Sequence, residues 1–386
     1  MHILIIPSWY PTFKGDVSGS FFREQALALK KYNHNVGVIY PQIRSLRDVK
    51  GIFTKPYGCH FENDDRLNTL RWYGVNFYPK FPELAKKRWL NCGIKLFKQY
   101  IKEFGKPDII HVHSLLNAGY LAYEINKKYN IPYVITEHSS AFARGLIPDN
   151  LIRSLSEVVN NSSKCMAVSK EFCQFLGQTF PNTVWNNIPN IVNNEFINEE
   201  FWPSSLDFKF INICFLNKNK KVDLLIYAFA QALVLKPNLK LQIGGDGSER
   251  NYLESLVNEL KISHAVEFLG LLSREQVKNK INEASAFILA SEYETFGVVL
   301  VEALALGKPV IATKCGGPES IVNPQVGYLV EKNSVDLMAD AIIKLHNNYQ
   351  EFEPEKIRQY CVDHFSEKVI VNQLNQIYQK IIHVES

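Results

Sequence analysis

The sequence predicts an α/β protein of two doubly wound domains in tandem, and three observations carry that prediction. Apolar runs of strand length alternate with helical patterns almost from end to end, the signature of parallel sheets with crossover helices. The 386 residues are enough for two cores of ordinary size. Between them, Ile188 to Pro203 is rich in Asn and Pro and suits neither regular element, so the boundary is placed there.

Taken in order, the strands of the first half are Ile3–Ile6, Asn35–Tyr40, Ile109–Val112, Tyr133–Thr136 and Cys165–Val168. Helices are expected near Phe21, Asn117, Asp149 and Lys170. In the second half the strands are Phe210–Phe215, Leu239–Gly244, Val266–Leu269, Ala286–Ala290 and Val310–Thr313, with helices near Leu224, Ser248, Arg274, Phe296 and Val335. The expected division is residues 1–192, residues 193–365, and a last helix over 366–386 opened by Ser366 with a partial capping box, since Val369 stands where Glu is usual.

Two stretches of the first half stand apart. Residues 43–82 show no sustained periodicity and read as an inserted loop region near the acceptor. Leu84 to Phe104 reads as an amphipathic helix, its apolar stripe Leu90, Ile94, Phe97, Ile101 and Phe104 opposed by six lysines and arginines. Such a helix packs on its own sheet with a solvated lysine face, or meets anionic lipid.

Composition excludes several classes. Nearly half the residues are apolar, so the chain folds. The seven cysteines are scattered and never form Cys-x-x-Cys, against a disulfide framework or a structural zinc, and a reducing cytoplasm fits them. Pro7 breaks the first apolar run, which reads as a strand and not a signal peptide. Residues 1–190 hold 24 Lys and Arg against 14 Asp and Glu, the remainder 19 against 25, so the halves differ in electrostatic partners. No nucleic-acid motif accompanies the basic half.

The most informative stretch is Ser291–Thr313, SEYETFGVVLVEALALGKPVIAT. It forms a strand-loop-helix-strand unit in which Gly297 precedes the helix and Gly307 ends it. A helix N-terminus offers unpaired N–H groups and its dipole to a diphosphate, and Gly297 lets that group approach the backbone. Carboxylates suit sugar hydroxyls better than phosphate, so Glu294 before the helix and Glu302 within it read as sugar ligands. The pair, with seven residues between them that include Phe296-Gly297, and followed by Glu-Ala-x-Ala-x-Gly-Lys-Pro-Val-Ile-Ala, resembles the family 4 retaining glycosyltransferases.

The resemblance implies the GT-B fold, two Rossmann-like domains facing a central cleft. It covers most of the chain in the family's order. It implies an acceptor domain first, a nucleotide-sugar domain second, and a last helix packing back on the first. Gly19, in PSWYPTFKGDVSGS, falls where the family's N-terminal loop meets the donor diphosphate; Trp9 and Tyr10 beside it stack on substrate or belong to the core. His111 and His113 share one face of a strand, but no third ligand appears, so no metal is expected. By resemblance His113 reaches the cleft near the donor, and His138, at the next strand's carboxyl end, is an acceptor-side candidate. Lys220 falls on the family's lysine for the leaving diphosphate. Phe215 stands where the family has Arg, so Lys218 or Lys221 substitutes, the alignment is shifted, or activity is weakened. Leu269, in Val-x-Phe-x-Gly, falls beside the nucleotide base. Phe296, Gly297 and Val298 complete the donor site.

The expected function is retaining, metal-independent transfer of a hexose, without a cofactor, from a UDP- or GDP-linked donor to a glycan or lipid-linked acceptor, in cell-surface polysaccharide biosynthesis. The expected place is the cytoplasm or the inner face of its membrane. A catalytically weakened sugar-nucleotide-binding homologue and a nucleotide-sugar epimerase are the alternatives.

Overall fold

A computed structural model describes residues 1–13, 16, 18–48, 51, 54, 56–65, 67–202 and 207–384. Lys14, Gly15 and Val17 of the N-terminal loop, Pro203 of the expected boundary with Ser204, Ser205 and Leu206 after it, six residues of the irregular region, and Glu385 and Ser386 lie outside them. The chain divides into two compact units, Met1–Val168 with Cys173–Ile188 and Val371–Ser386, and Ser169–Phe172 with Pro189–Ile370.

In chain order the first unit holds β1 (His2–Pro7), α1 (Ser20–Lys31), β2 (Asn35–Arg44), β3 (Gly58–Asp64), β4 (Leu67–Val75), α2 (Pro82–Phe104), β5 (Ile109–His113), α3 (Leu116–Tyr129), β6 (Tyr133–Glu137), α4 (Asp149–Asn160) and β7 (Lys164–Ala167). After α5 (Lys170–Thr179) comes β8 (Trp185–Asn187). The sheet order is β3-β4-β2-β1-β5-β6-β7-β8, antiparallel only between β3 and β4. Strands β1 and β5 are covered on both faces, which is why Ile3 to Ile6 form an unbroken apolar run and are fully buried, while β5 buries His111 and His113 among its isoleucines and valine. The order reverses between β1 and β5, where Ile6 lies beside Val112 and Pro7 beside His113.

Two expectations for this unit are corrected. The irregular region contains two strands, and β4 runs beside β2 from Asn68 to Val75. Its pattern is obscured because polar Thr69 and Arg71 face inward. Arg71, 4% exposed, is satisfied there by Glu62 (Nε to Oε2 3.1 Å), Gln42 Oε1 (3.0 Å) and the Pro11 carbonyl (2.9 Å). The expected apolar stripe of α2 is also misplaced. Trp89, Cys92, Gly93, Leu96, Phe97 and Tyr100 are buried, while Leu90, Ile94 and Ile101 are only partly covered. The buried face lies about a quarter turn from the expected one, at about 100° per residue. Close approach sets it: a Cβ on Gly93 would meet Leu121 at 2.4 Å, and one on Gly37 of β2 would meet the Tyr100 hydroxyl at 2.1 Å.

The second unit holds α6 (Asn194–Ile197), β9 (Lys209–Ile213), α7 (Val222–Leu235), β10 (Lys240–Gly244), α8 (Arg250–Glu259), β11 (Val266–Gly270), α9 (Arg274–Glu283), β12 (Ala286–Leu289), α10 (Val298–Ala305), β13 (Val310–Thr313), β14 (Gly327–Val330), α11 (Val335–Asn347) and α12 (Pro354–Phe365). A last helix, α13 (Glu367–Val384), begins in its span and continues into the residues of the first unit. All strands are parallel in the order β11-β10-β9-β12-β13-β14, so the reversal lies between β9 and β12. The segment after residue 188, expected to be irregular, contains the short α6, whose N-cap Asn193 accepts from the Glu195 N–H. β9 stops two residues before the expected end, because Cys214 and Leu216 turn to bond the Gly244 and Asp246 carbonyls.

Candidate active site

In open parallel sheets ligands gather beyond the carboxyl ends of the strands where the order reverses. In the second unit those ends belong to β9 and β12. After β9, the Asn217 side chain accepts from the Asn219 N–H (3.1 Å) and starts a single 3₁₀ turn, Lys218–Lys220. Lys221, left-handed at φ 48°, passes the chain into α7. Asn219 then ties this turn to the loop after β12, its amide donating to the Tyr293 carbonyl (3.0 Å) and its own carbonyl accepting from the Glu292 N–H (2.7 Å).

That tie brings Lys220 Nζ to 2.5 Å from Glu294 Oε1, which also accepts from Ser291 Oγ at 2.8 Å. Burial opposes the lysine's charge, but the field and hydrogen bond of Glu294 outweigh it and raise the Lys220 pKa, so the ammonium persists. Ser291 and Asn219 had no signal in the sequence beyond their place beside the two motifs.

The Glu294 backbone is held as firmly as its side chain. Its N–H donates to the Cys315 carbonyl (3.1 Å) and its carbonyl accepts from the Gly317 N–H (2.7 Å). A Cβ on Gly317 would lie 2.3 Å from the Phe296 backbone, which has no flexible end to move aside. Gly317→Ala is therefore expected to cost about 2–3 kcal/mol, as overpacking does, and to displace Glu294. Chemical denaturation checks it; an unchanged midpoint would contradict this reading of the loop. Gly316-Gly317 after β13 was the legible signal, and it was passed over.

Gly297, with φ 101°, is the N-cap of α10, and no side chain caps that helix. Phe296 beside it is buried edge-on against Phe365 at 5.8 Å, and Val298 opens the helix. Glu302, 1% exposed, meets Arg274 Nη1 at 2.6 Å through Oε1, and its Oε2 has no partner among the described residues. Arg274, the first residue of α9 after the Ser273–Gln276 capping box, was missed, since pairing across 28 residues leaves no local pattern.

Leu269 stands at the end of β11, half-buried, followed by Gly270 at φ 71°. The nearby Gly-Gly-Asp-Gly turn is structural: Cβ atoms on Gly245 and Gly247 would meet the Cys214 and Leu216 carbonyls at 1.9 and 2.3 Å. Phe215 is 56% exposed.

In the first unit, the reversal point is built around histidines. Ser8 N–H donates to the His113 carbonyl (3.0 Å) and Ser8 Oγ to the Ser114 carbonyl (2.7 Å). His113 Nδ1 lies 3.0 Å from His138 Nε2, and the Phe22 ring sits 4.9 and 4.8 Å from the two imidazoles. His113 is fully buried beneath that ring, and His138 is 7% exposed. His111 is held by Thr136 Oγ1 and the Tyr378 hydroxyl, each at 2.7 Å. Burial lowers the His111 pKa to about 3, and burial with the fields of His111 and His138 drives His113 well down, so both are neutral. Glu137, buried at the end of β6, was missed. It accepts the Leu115, His138 and Ser139 N–H groups at 2.6, 2.8 and 2.7 Å and fixes the entry to α3. Burial raises its pKa despite those bonds.

Gly19 is the N-cap of α1 at φ 75°, again without a side-chain cap, and a Cβ there would lie 2.9 Å from the Trp9 ring. Asp16 shapes the loop before it, accepting from Thr12 N (2.9 Å) and Ser18 N (2.9 Å). Tyr10 is 2% exposed, a core residue and not a stacking platform. Among the described residues no group of three His, Cys, Asp or Glu is placed to hold a metal ion. No helix among them is long and apolar enough to cross a membrane.

Comparison with known proteins agrees with this construction. The model of Glycosyltransferase Family 4 matches residues 19–196, and that of Glycosyl transferases group 1 matches residues 197–362. N-acetyl-alpha-D-glucosaminyl L-malate synthase of Bacillus anthracis is 30% identical over 71% of this chain and 75% of its own. Among solved structures, sucrose-phosphate synthase from Thermosynechococcus elongatus superposes with a TM-score of 0.80 over all of both chains, at 19% identity. HepE of Anabaena, in complex with UDP and glucose, does so at 0.73 over 98% of this chain and all of its own, at 17% identity. With two parallel α/β domains of this order, this chain belongs to the family 4 glycosyltransferases and has their GT-B fold.

Proposed function

We propose that the protein is a retaining, metal-independent glycosyltransferase that moves a hexose from a nucleotide diphosphate sugar to a glycan or lipid-linked acceptor in cell-surface polysaccharide assembly. The observation that carries the reading is the Lys220–Glu294 pair at the β9/β12 reversal, together with the uncapped N-terminus of α10. UDP with a sugar in HepE supports a uridine donor, with GDP as the other candidate. The protein works in the cytoplasm, at the inner face of its membrane.

The reaction breaks the bond between the anomeric carbon and the diphosphate oxygen while negative charge grows on the diphosphate. Lys220 turns from Glu294 to that charge, joined by the N–H groups of Phe296 to Val298. Glu294, released from its cation, accepts the sugar hydroxyls, and the second oxygen of Glu302 accepts from the ribose. Leu269 lies against the base; in the first unit neutral His113, fully buried beneath Phe22, holds His138, the acceptor-side candidate. The acceptor oxygen bonds the anomeric carbon on the face the diphosphate leaves, and its proton passes to a leaving phosphate oxygen. No metal is needed, because fixed cations and helix ends supply the positive charge.

The test is thermal stabilisation by UDP, GDP, ADP and CMP with their sugar conjugates. One diphosphate family should raise the melting temperature, and Glu302→Ala should abolish the shift. Glu294→Ala should keep nucleotide diphosphate binding and lose turnover; equal loss of affinity in both would defeat this division of roles. EDTA should leave the transfer rate unchanged. The exposed Phe215, where the family has Arg, favours a second reading, a weakened sugar-nucleotide-binding protein. Binding without turnover across acceptors would establish it, and acceptor-independent conversion of the donor would indicate an epimerase.

A further inference from the structure

We infer that the first unit docks on an anionic membrane leaflet through the solvent face of α2 and an aromatic wedge at its start; this deepens the peripheral placement proposed above and rests on it.

Leu84, Lys87, Asn91, Lys95, Lys98 and Lys102 are all on the surface of α2 and recur at steps of three and four. At about 100° per residue they fall within a strip about 80° wide, opposite the buried face centred near Leu96 and Tyr100. Within this helix of 23 residues the strip runs from Leu84 to Lys102, about 27 Å at 1.5 Å per residue. Glu83, the acid nearest its start, is already turned to Lys86 at 3.1 Å. The flank toward Leu90, Ile94 and Ile101 is apolar and only partly covered, which accounts for the residues that the expected stripe wrongly assigned to the core.

The turn leading into α2 completes the face. Phe77, Tyr78, Phe81 and Leu84 are 55%, 40%, 61% and 46% exposed. Four large apolar side chains within eight residues are a patch and not scattered exposure. The turn is ordered by the Tyr78 N–H on Asn76 Oδ1 (2.9 Å) and the Phe81 N–H on the Tyr78 carbonyl (3.1 Å), and Arg88 lies over the Phe77 ring at 4.7 Å. Aromatic rings beside lysines suit the interface of a bilayer, where the rings enter the headgroup layer and the ammonium groups meet lipid phosphates. The lysine row selects an anionic leaflet over a protein groove, because its charge is spread along the straight solvent face of a helix. A nucleic-acid backbone would be the other linear anion, but it offers nothing for the wedge to enter.

The full chain is mixed with vesicles of phosphatidylcholine alone or with phosphatidylglycerol, and bound protein is measured by sedimentation. Binding should require phosphatidylglycerol and weaken with salt. Each lysine near such a surface strengthens binding roughly fivefold, so replacing Lys87, Lys98 and Lys102 with Ser should weaken it on the order of a hundredfold. Phe77→Ser with Phe81→Ser should weaken it while the salt dependence stays. Both variants should keep the thermal shift given by the donor nucleotide, which separates docking from folding and from the donor site. Equal binding to both vesicles, or unchanged binding by both variants, overturns the inference. A nucleotide shift without vesicle binding overturns it and spares the proposed function; vesicle binding without any nucleotide shift does the reverse.

Discussion

Lys220→Ala is expected to lower kcat by about 10² to 10³-fold with a much smaller change in the donor KM, the size of effect seen when one donor to a developing oxyanion is removed. The loops after β9 and β12 jointly fix this ammonium, through Asn219, at the carboxyl ends beside the reversal. Its charge is maintained by Glu294, so no proton uptake is needed when donor arrives. A group acting on growing charge affects the transition state more than the bound donor, hence the split between kcat and KM. Removing it also leaves Glu294 as a half-buried carboxylate with only Ser291 as a donor, so the measurement is paired with Lys220→Ala/Glu294→Gln. The double variant should recover stability but not turnover. Initial rates at saturating acceptor decide the matter, and a kcat loss below about fivefold, under 1 kcal/mol, would remove Lys220 from the chemistry.

Acid is expected to destabilise the first unit steeply below pH 6.5. His111 and His113 have pKa values lowered by burial, His111 to about 3 from the ordinary 6.5 of a free imidazole. As pH falls through 6.5 the unfolded chain takes up protons that the folded chain refuses. The stability is therefore fully present above 6.5 and is lost progressively down to the folded value. For His111 alone the loss at pH 5 is on the order of 2 kcal/mol, and His113 adds to it in the same direction. Denaturant midpoints from pH 7 to pH 5 give the slope, and His111→Gln should flatten it. A midpoint independent of pH across that range would show that both imidazoles open to water without cost.

The parts of the fold that could be read in advance are those whose physics is local. Parallel strands buried on both faces announce themselves as apolar runs, and β1, β5, β12 and β13 were placed within a residue or two. β4 escaped because Arg71 sits inside it, and an arginine satisfied by Glu62, Gln42 and a distant carbonyl is indistinguishable in sequence from a surface one. The face of α2 escaped because Leu90, Ile94 and Ile101 weigh as much on an apolar count as the buried Trp89, Leu96 and Tyr100, and the choice is made by Gly93, whose missing side chain lets Leu121 come close. The candidate site divides the same way. Gly297 and Glu302 were visible in their spacing; Arg274, Asn219 and Glu137 act through contacts that close across loops or between strands and so leave no trace along the chain.

The left-handed glycines at the starts of α1 and α10 have a consequence for the life of the protein in the cell. Both helices begin without a side-chain cap, so their first N–H groups are left for a guest. On the proposed function, a donor held at the start of α10 stabilises the folded state by about 2.7 kcal/mol when present at a hundred times its dissociation constant. Differences of that size change how often a chain opens to proteases, and so its abundance. Turnover of the protein, followed by pulse-chase with the donor supply open or shut, should track the sugar nucleotide; a cell that runs short of activated sugar then sheds the enzyme along with the reaction.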